Sequence, residues 1–517
     1  MKLHASSNYS ADVREKITLG GIGKKVWLLR ALVGLGFLAL FWFFSWWFVD
    51  GRITSPWLAI LLVFAVVYAG TQLVGNWFLY LFAHQPVPPK TRPKHLSVDV
   101  FVTAYDEPHE MIQRALSAAC TMRGPHKTWL LDDGHTPALA VMAEQLGAGY
   151  LTRGGNKDAK AGNINAALNH TRGDIVVIFD IDHVPRKDFL ERSLGHFADP
   201  QVGFVQVMLT FNNGGESWVA QAAIETSLEF YNPTSLGADG IGGATLMGSN
   251  ALIRRKALDT IKGYQPGLAE DLATSISLHA AGWKSAYVAE PLAPGIAPPS
   301  FTSWFVQQLK WARGVFELLI TAYLPLFSRL TWGQRLSYSV RMTKYWIGPV
   351  VGFHLFATIA ILIFAGPLVR GAFHDYLIQI TPLALGDVLI RHTAFRFYRH
   401  SGTPVTSLAR AVALVYGTWP IYMLAWIMAV LRLPLSFHPT PKDRNGRLNP
   451  LWLLPQVATL VLLVAGTVVT VALKGHPLSI LLTFAIIQGI LQLYLIIKWI
   501  TVDMGRPAWS SIRPKIL

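Results

Sequence analysis

Charge is scarce in this chain: only 15% of its 517 residues are Asp, Glu, Lys or Arg, against roughly a quarter in ordinary soluble domains. Hydrophobic residues make up 52%, and the shortage of charge is local rather than general. Cysteine is nearly absent. A single residue, Cys120, excludes an intrachain disulfide framework and a cysteine zinc cluster, and it fits a reducing compartment for the part that bears chemistry. A cleavable signal peptide is not expected either, because roughly 30 polar or mixed residues precede the first apolar run.

What charge there is leans basic. A net charge of +15 in a chain this apolar reads as basic loops flanking membrane segments, not as a nucleic-acid surface. Two runs near the start, "LVGLGFLALFWFFSWWFV" (32–49) and "WLAILLVFAVVYAGTQLVGNWFLYLF" (57–82), are each long enough to cross the ~30 Å hydrocarbon layer. A Pro/Lys linker, "HQPVPPKTRPKH" (84–95), follows. From 96 to 320 the pattern changes to short apolar strands (98–103, 128–131, 175–180, 203–208) alternating with helix-like stretches and Gly/Pro turns. This is an α/β domain inserted between membrane segments. Beyond it come a clear span at 346–366, a weaker one at 376–390 with Pro382 and Asp387, an apolar stretch at 411–431, and two final spans at 451–473 and 478–499.

The stretch 411–431 poses a topological conflict. Arg391, Arg396, Arg399 and Arg410 precede it, while Arg432, Lys442, Arg444 and Arg447 follow. The positive-inside rule puts both flanks on the cytoplasmic side, so 411–431 is expected to lie along the interface or re-enter. The expectation is six spans, with both termini and the 96–320 domain cytoplasmic. Seven spans with one terminus flipped is the alternative. The expected parts are 1–95 (N-terminal segment and two spans), 96–320, 321–431 (interfacial helices and two spans), 432–450 (a loop) and 451–517 (two spans and a tail).

The inserted domain carries the chemistry. Ligands of open α/β sheets bind beyond the carboxyl ends of the strands, and three strand ends here are acidic. The first strand runs into "TAYDEP", with Thr103, Tyr105 and Glu107. The second ends in "DDG", with Asp132 and Asp133, and the third in "DIDHVP", with Asp180, Asp182 and His183. One such aspartate alone would pass for a helix cap or turn residue. Three on one edge argue for a site. Asp180 and Asp182 face the same way on an extended chain, and side-by-side carboxylates call for a hard divalent cation, Mg2+ or Mn2+. His183 is a third candidate ligand, or a histidine packed against Pro185. "KDAKAGNINAAL" (157–168) sets Lys160 ahead of a helix, which is either an anion site or an exposed basic loop.

The order TxYxE, DDG, KAGNxN, DxDH, GS, ED, QxxxW resembles the processive family 2 glycosyltransferases, specifically the cellulose synthase-like membrane synthases. The resemblance implies an α-helical polytopic membrane protein with an inserted cytoplasmic α/β domain of the GT-A, Rossmann-like type. By it, Tyr105, Glu107 and Asp133 belong to the uridine pocket, Thr103 to the nucleotide site, Lys160 and Asp180 to the diphosphate, and Asp182, with Asp180, to the metal. "LAEDLATSISLHAAGW" (268–283) holds Glu270 and Asp271, similar to the family's TED motif with its general base. "QQLKW" (307–311) resembles QxxRW and supplies Gln307, Lys310 and Trp311. "TLMGS" (245–249) keeps Gly248 and Ser249 on the acceptor side. "FHPTPKD" (437–443) resembles the gating loop that closes over the nucleotide through Thr440 and Lys442, which keeps it on the same side of the membrane as the active site.

The resemblance also implies the reaction and its partners. These are a UDP-sugar donor, a growing polysaccharide acceptor, the bilayer of a bacterial inner membrane and, as an open allowance, accessory export subunits; nucleic acid is not among them. Lys310 replaces the usual arginine, Ala269 the threonine of TED, Met247 a cysteine and Pro439 a valine. The sequence also continues only briefly past 499, where bacterial cellulose synthases carry a PilZ domain. These departures favour a curdlan-type β-1,3-glucan synthase over a cellulose-type β-1,4 or mixed-linkage one, with a UDP-GlcNAc-using synthase as the alternative. A metal-sensing cation transporter would need ionisable residues inside its spans, and the clear spans have none in their cores.

Overall fold

The computed structural model describes residues 19–49, 55–84, 95–364, 373–399, 408–435, 449–473 and 480–504. At its centre is a seven-stranded sheet. Its strands are β1 (Val98–Ala104), β2 (Lys127–Asp132), β3 (Gly149–Leu151), β4 (Ile175–Asp180), β5 (Val202–Val207), β6 (Ala251–Arg254) and β7 (Lys284–Val288). In space they run β3-β2-β1-β4-β6-β5-β7. β1, β2, β3 and β4 are parallel, and only β6 runs against its two neighbours, β4 and β5.

The apolar run of β4 follows from its central place. Ile175, Val177 and Phe179 enter one core beneath the helix His109–Cys120, where they meet Ile112, Ala115 and Leu116. Val176 and Ile178 enter the other, beneath the helix Ala159–His170, with Ala161, Ile164 and Ala167. Alternation puts successive side chains on opposite faces, so a strand covered on both faces must be apolar at every position. Each such side chain contributes roughly 1.5–3 kcal/mol by leaving water. Only the strand end escapes this rule, and there the carboxylates begin.

Among the described residues six helices are long and apolar enough to cross a membrane: Val26–Trp47, Pro56–Phe82, Trp332–Phe364, Ala409–Val430, Pro450–Ala472 and Ile480–Val502. Their number is that of the spans expected from sequence, but the membership differs. The helix Phe373–Tyr398, which carries Asp387 and Arg391, is not among them. Residues 409–430 are, although they form two helices, Leu408–Gly417 and Trp419–Val430, broken at Thr418. The Thr418 hydroxyl donates to the Leu414 carbonyl at 2.6 Å and accepts the indole N–H of Trp304 at 2.9 Å. The first of the pair packs on Trp218–Glu229 of the sheet domain, where Arg410 meets the fully buried Glu225 at 2.6 Å.

Candidate active site

The parallel strands end side by side and hold their carboxylates at one rim of a cleft of about 800 Å³. Asp132, at the end of β2, is not available to a ligand. Its two oxygens accept from the Gly134 and Thr136 backbone N–H groups and from the Tyr150 hydroxyl, each at 2.8 Å. Gly134 is required there because a Cβ would stand 1.7 Å from the Tyr105 carbonyl oxygen. Asp133 turns toward the cleft but is gripped by Arg153, whose Nε and Nη2 donate to it at 2.7 and 2.8 Å. Arg153 had no place in the sequence reading. Its pairing across 20 residues has no local periodicity to reveal it.

On β1, Thr103 donates its hydroxyl to the Phe179 carbonyl at 3.3 Å. The Glu107 carboxylate accepts the Tyr105 backbone N–H at 2.8 Å, which leaves the Tyr105 ring exposed at the cleft mouth. Burial raises the pKa of Glu107, and the charges of Asp180 and Asp182 add to that.

The Lys160 ammonium bonds the Asp180 carboxylate and donates to the Gly248 carbonyl at 2.9 Å. Burial works to lower the pKa of this lysine, but the carboxylates of Asp180, Glu270 and Asp271 outweigh it and the pKa is raised. Burial likewise works against the charge of Asp180, and Lys160 reverses it. Asp180 also receives structural support from Ser249, whose hydroxyl oxygen accepts the Asp180 backbone N–H at 2.9 Å.

Asp180, Asp182 and His183 offer ligand atoms that all lie within 4.8 Å of one another. His183 is 5% exposed; its Nδ1 stands 3.6 Å from Asp182 Oδ1, and neither ring nitrogen makes a hydrogen bond. A buried imidazole without hydrogen bonds is costly. A divalent cation beside two carboxylates would satisfy it, so the donor set fits the metal expected from sequence.

Opposite the strand ends stands the helix Glu270–Ala280, with Ala269 at its N-cap. Asp271 lies in its first turn, and its Oδ1 accepts the Leu272 N–H at 2.7 Å. Burial raises the pKa of Asp271, which Arg341 and Lys160 oppose. Glu270 is pushed up to about 7, first by burial and then by the neighbouring charge of Asp271. Gly248 adopts φ +86°, and a Cβ there would sit 3.8 Å from Asp271 Oδ2. The third wall is the helix Phe301–Leu318. Gln307, Lys310 and Trp311 occupy one face of it and line the cleft, and Trp311 is 39% exposed. The intervening Gln308 is buried, accepting the Tyr422 hydroxyl at 2.9 Å.

The structure thus brings together Thr103, Tyr105, Glu107, Asp133, Lys160, Asp180, Asp182, Gly248, Ser249, Glu270, Asp271, Gln307, Lys310 and Trp311 around one cleft. Thr440 and Lys442 lie outside the described residues. The same cleft is lined by Arg341, Lys344, Tyr345 and Tyr422, which sequence reasoning passed over. Arg341 and Lys344 precede an apolar run, so they read only as the basic flank of a span.

Residues 93–314 match the family described as glycosyltransferase like family 2. Among curated proteins, Cellulose synthase 1 of Komagataeibacter xylinus is 32% identical over 349 residues, covering 65% of this chain and 22% of that protein. The Cellulose synthase 1 catalytic subunit [UDP-forming] of Komagataeibacter xylinus is 30% identical over 391 residues, 71% of this chain and 49% of that one. The chain therefore spans about half the length, or less, of the curated relatives it matches. A solved mannosyltransferase from Pyrobaculum calidifontis, in complex with GDP-Man and Mn2+, superposes with a TM-score of 0.50 at 18% identity. It covers 73% of this chain and 99% of its own, a likeness of fold.

Residues 93–314 thus carry the sequence pattern of the family 2 glycosyltransferases on a GT-A-type sheet. The chain around them is similar in sequence to cellulose synthases and holds, among its described residues, six helices long and apolar enough to cross a membrane.

Proposed function

We propose that the chain is a processive, inverting β-glucan synthase of a bacterial inner membrane, drawing UDP-glucose from the cytoplasm. The observation that carries this reading is the single cleft lined by the acidic strand ends, Asp271 and the partly exposed Trp311. Tyr105, Glu107 and Asp133 receive the uridine. Lys160, with Asp180, Asp182 and His183 holding Mg2+ or Mn2+, balances the diphosphate; the cation's share is to neutralise charge on the leaving group. Asp271 takes the proton from an acceptor hydroxyl as that oxygen attacks the anomeric carbon from the face opposite UDP. A general base of this kind contributes roughly 10²–10⁴-fold. Trp311, which lines the same cleft as Asp271 with a partly exposed indole, offers a flat apolar face that supports the acceptor sugar. The extended chain then leaves between the membrane helices. In this arrangement 409–430 lies along the domain rather than across the bilayer, which the packing of its first helix, Leu408–Gly417, on 218–229 supports.

For the product, Lys310, Ala269 and Met247 favour a curdlan-type β-1,3 linkage, whereas the cellulose synthase relatives favour β-1,4. The purified chain supplied with radiolabelled UDP-glucose or UDP-GlcNAc, followed by linkage analysis, tests the proposal. A polymer of glucose supports it and reports the linkage. A polymer made only from UDP-GlcNAc overturns the donor assignment.

A further inference from the structure

The loop that carries Gly248 and Ser249 is held from outside the catalytic domain. The helix Trp332–Thr343 begins with a capping box at Thr331 and Gln334, and a short turn carries it into the apolar helix Ile347–Phe364. Residues 334, 337 and 341 share one of its faces, since positions three and four apart are neighbours on a helix. All three bind the same strand of backbone. Gln334 Nε2 donates to the Gly242 carbonyl at 3.3 Å, and Ser337 Oγ to the Gly243 carbonyl at 2.7 Å. Arg341 closes the row, with Nη1 donating to Thr245 Oγ1 at 2.7 Å and Nη2 to the Leu246 carbonyl at 3.4 Å. Its guanidinium lies over the Phe230 ring, 5.0 Å from the centroid.

From that backbone the hydrogen bonds continue to Asp271. The Leu246 N–H donates to Ser275 Oγ at 2.7 Å, and Ser275 Oγ donates to the Asp271 carbonyl at 2.9 Å. On the far side Gln206 Oε1 accepts the Met247 N–H at 2.8 Å, so the loop cannot drift away from the arginine's grip. Arg341 and Asp271 line the same cleft.

We propose that Arg341 is a positioning residue for glycosyl transfer: by gripping Thr245 and Leu246 it sets where the Asp271 carboxylate stands, and ties the base to the helix that runs into the membrane. The inference rests on Asp271 being the base. An arginine suits the task because its planar fork reaches two acceptors while stacking on an aromatic ring, which a lysine cannot do.

The test uses the full chain purified in lipid nanodiscs, with UDP release read against UDP-glucose concentration and UDP affinity read separately. Arg341→Gln is expected to lower kcat on the order of 10²-fold, the cost of a small misplacement at a reacting centre, with KM for UDP-glucose and UDP affinity unchanged. Arg341→Lys should restore about tenfold of that loss by keeping charge and one hydrogen bond. Thr245→Val, which removes the Nη1 acceptor, should cost about fivefold, the worth of one hydrogen bond, and it carries the test if Arg341→Gln does not fold. Arg335→Gln, a half-buried charge on the same helix that bonds the Phe327 and Ser328 carbonyls and lies over the Phe327 ring, is the control and should leave kcat unchanged. A kcat for Arg341→Gln within about threefold of the parent overturns the inference. So does a loss of UDP affinity that parallels the loss of rate, or an equal loss in the lysine variant. Polymer synthesis by Asp271→Asn would instead sink the reading of the base, whatever the Arg341 variants do.

Discussion

On the proposed reading, the donor and acceptor walls of the cleft are built differently. On the donor wall, the ends of the parallel strands, the charged side chains are already engaged by the protein. Asp132 is saturated by backbone and Tyr150, Asp133 is clamped by Arg153, and Lys160 bridges Asp180 and Gly248. The acceptor wall is assembled from pieces far apart in sequence: the helix Phe301–Leu318, the 341–345 turn and Tyr422. Its key aromatic, Trp311, is left partly open. A rigid donor wall suits a nucleotide that must be held in one pose each cycle. An acceptor wall tied to membrane-capable helices suits a chain that must slide past. The difference implies that the two walls can be damaged separately.

Of the two walls, the donor wall should give the larger effect. Asp182→Asn removes a metal ligand and should weaken activation by Mn2+ on the order of 10²-fold, since even outer-shell changes at metal sites cost 10–100-fold. Metal titration of UDP release measures this, and an unchanged activation curve would remove the metal from the Asp180–Asp182–His183 site. On the acceptor wall, Trp311→Ala should slow elongation about tenfold, roughly the worth of one aromatic face, while KM for UDP-glucose stays put. A matching rise in donor KM would show that the walls are not independent.

The smallest effect is a shift in pH dependence. Burial and then the charge of Asp271 push Glu270 up to about 7, and burial also raises Asp271. A base must be ionised to accept a proton, so with the Asp271 pKa raised, activity should fall on the acid side at a higher pH than an ordinary aspartate would give. Removing one of two neighbouring carboxyls makes the other easier to ionise. Glu270→Gln should therefore move the acid limb of the profile to lower pH. No shift, or a shift upward, would mean that the limb belongs to another group.

The same contrast separates what was legible in the sequence from what was not. The β1, β2, β4 and β5 runs are visible because strands buried on both faces must be apolar throughout, and the acidic ends stand out against them. β3 and β6, of three and four residues, are too short to carry a period. β7, at the sheet's edge, begins on an exposed lysine and is buried only at its end. The donor residues lie next to their strands in sequence, so they announce themselves. Arg153 and Arg341 reach their partners across 20 and 96 residues, and nothing local marks such a pairing. Residues 409–430 meet the length and apolarity of a span and break at Thr418, the helix before the break packing on 218–229. Here hydropathy and the flanking charge pattern point in opposite directions.

The most direct test of the account concerns Asp271. The purified full chain with Asp271→Asn, an isosteric change that removes the base, should lose polymer synthesis from UDP-glucose by about 10³-fold while binding UDP with the affinity of the parent. Synthesis at a near-normal rate by that variant would contradict the central claim that this carboxylate activates the acceptor.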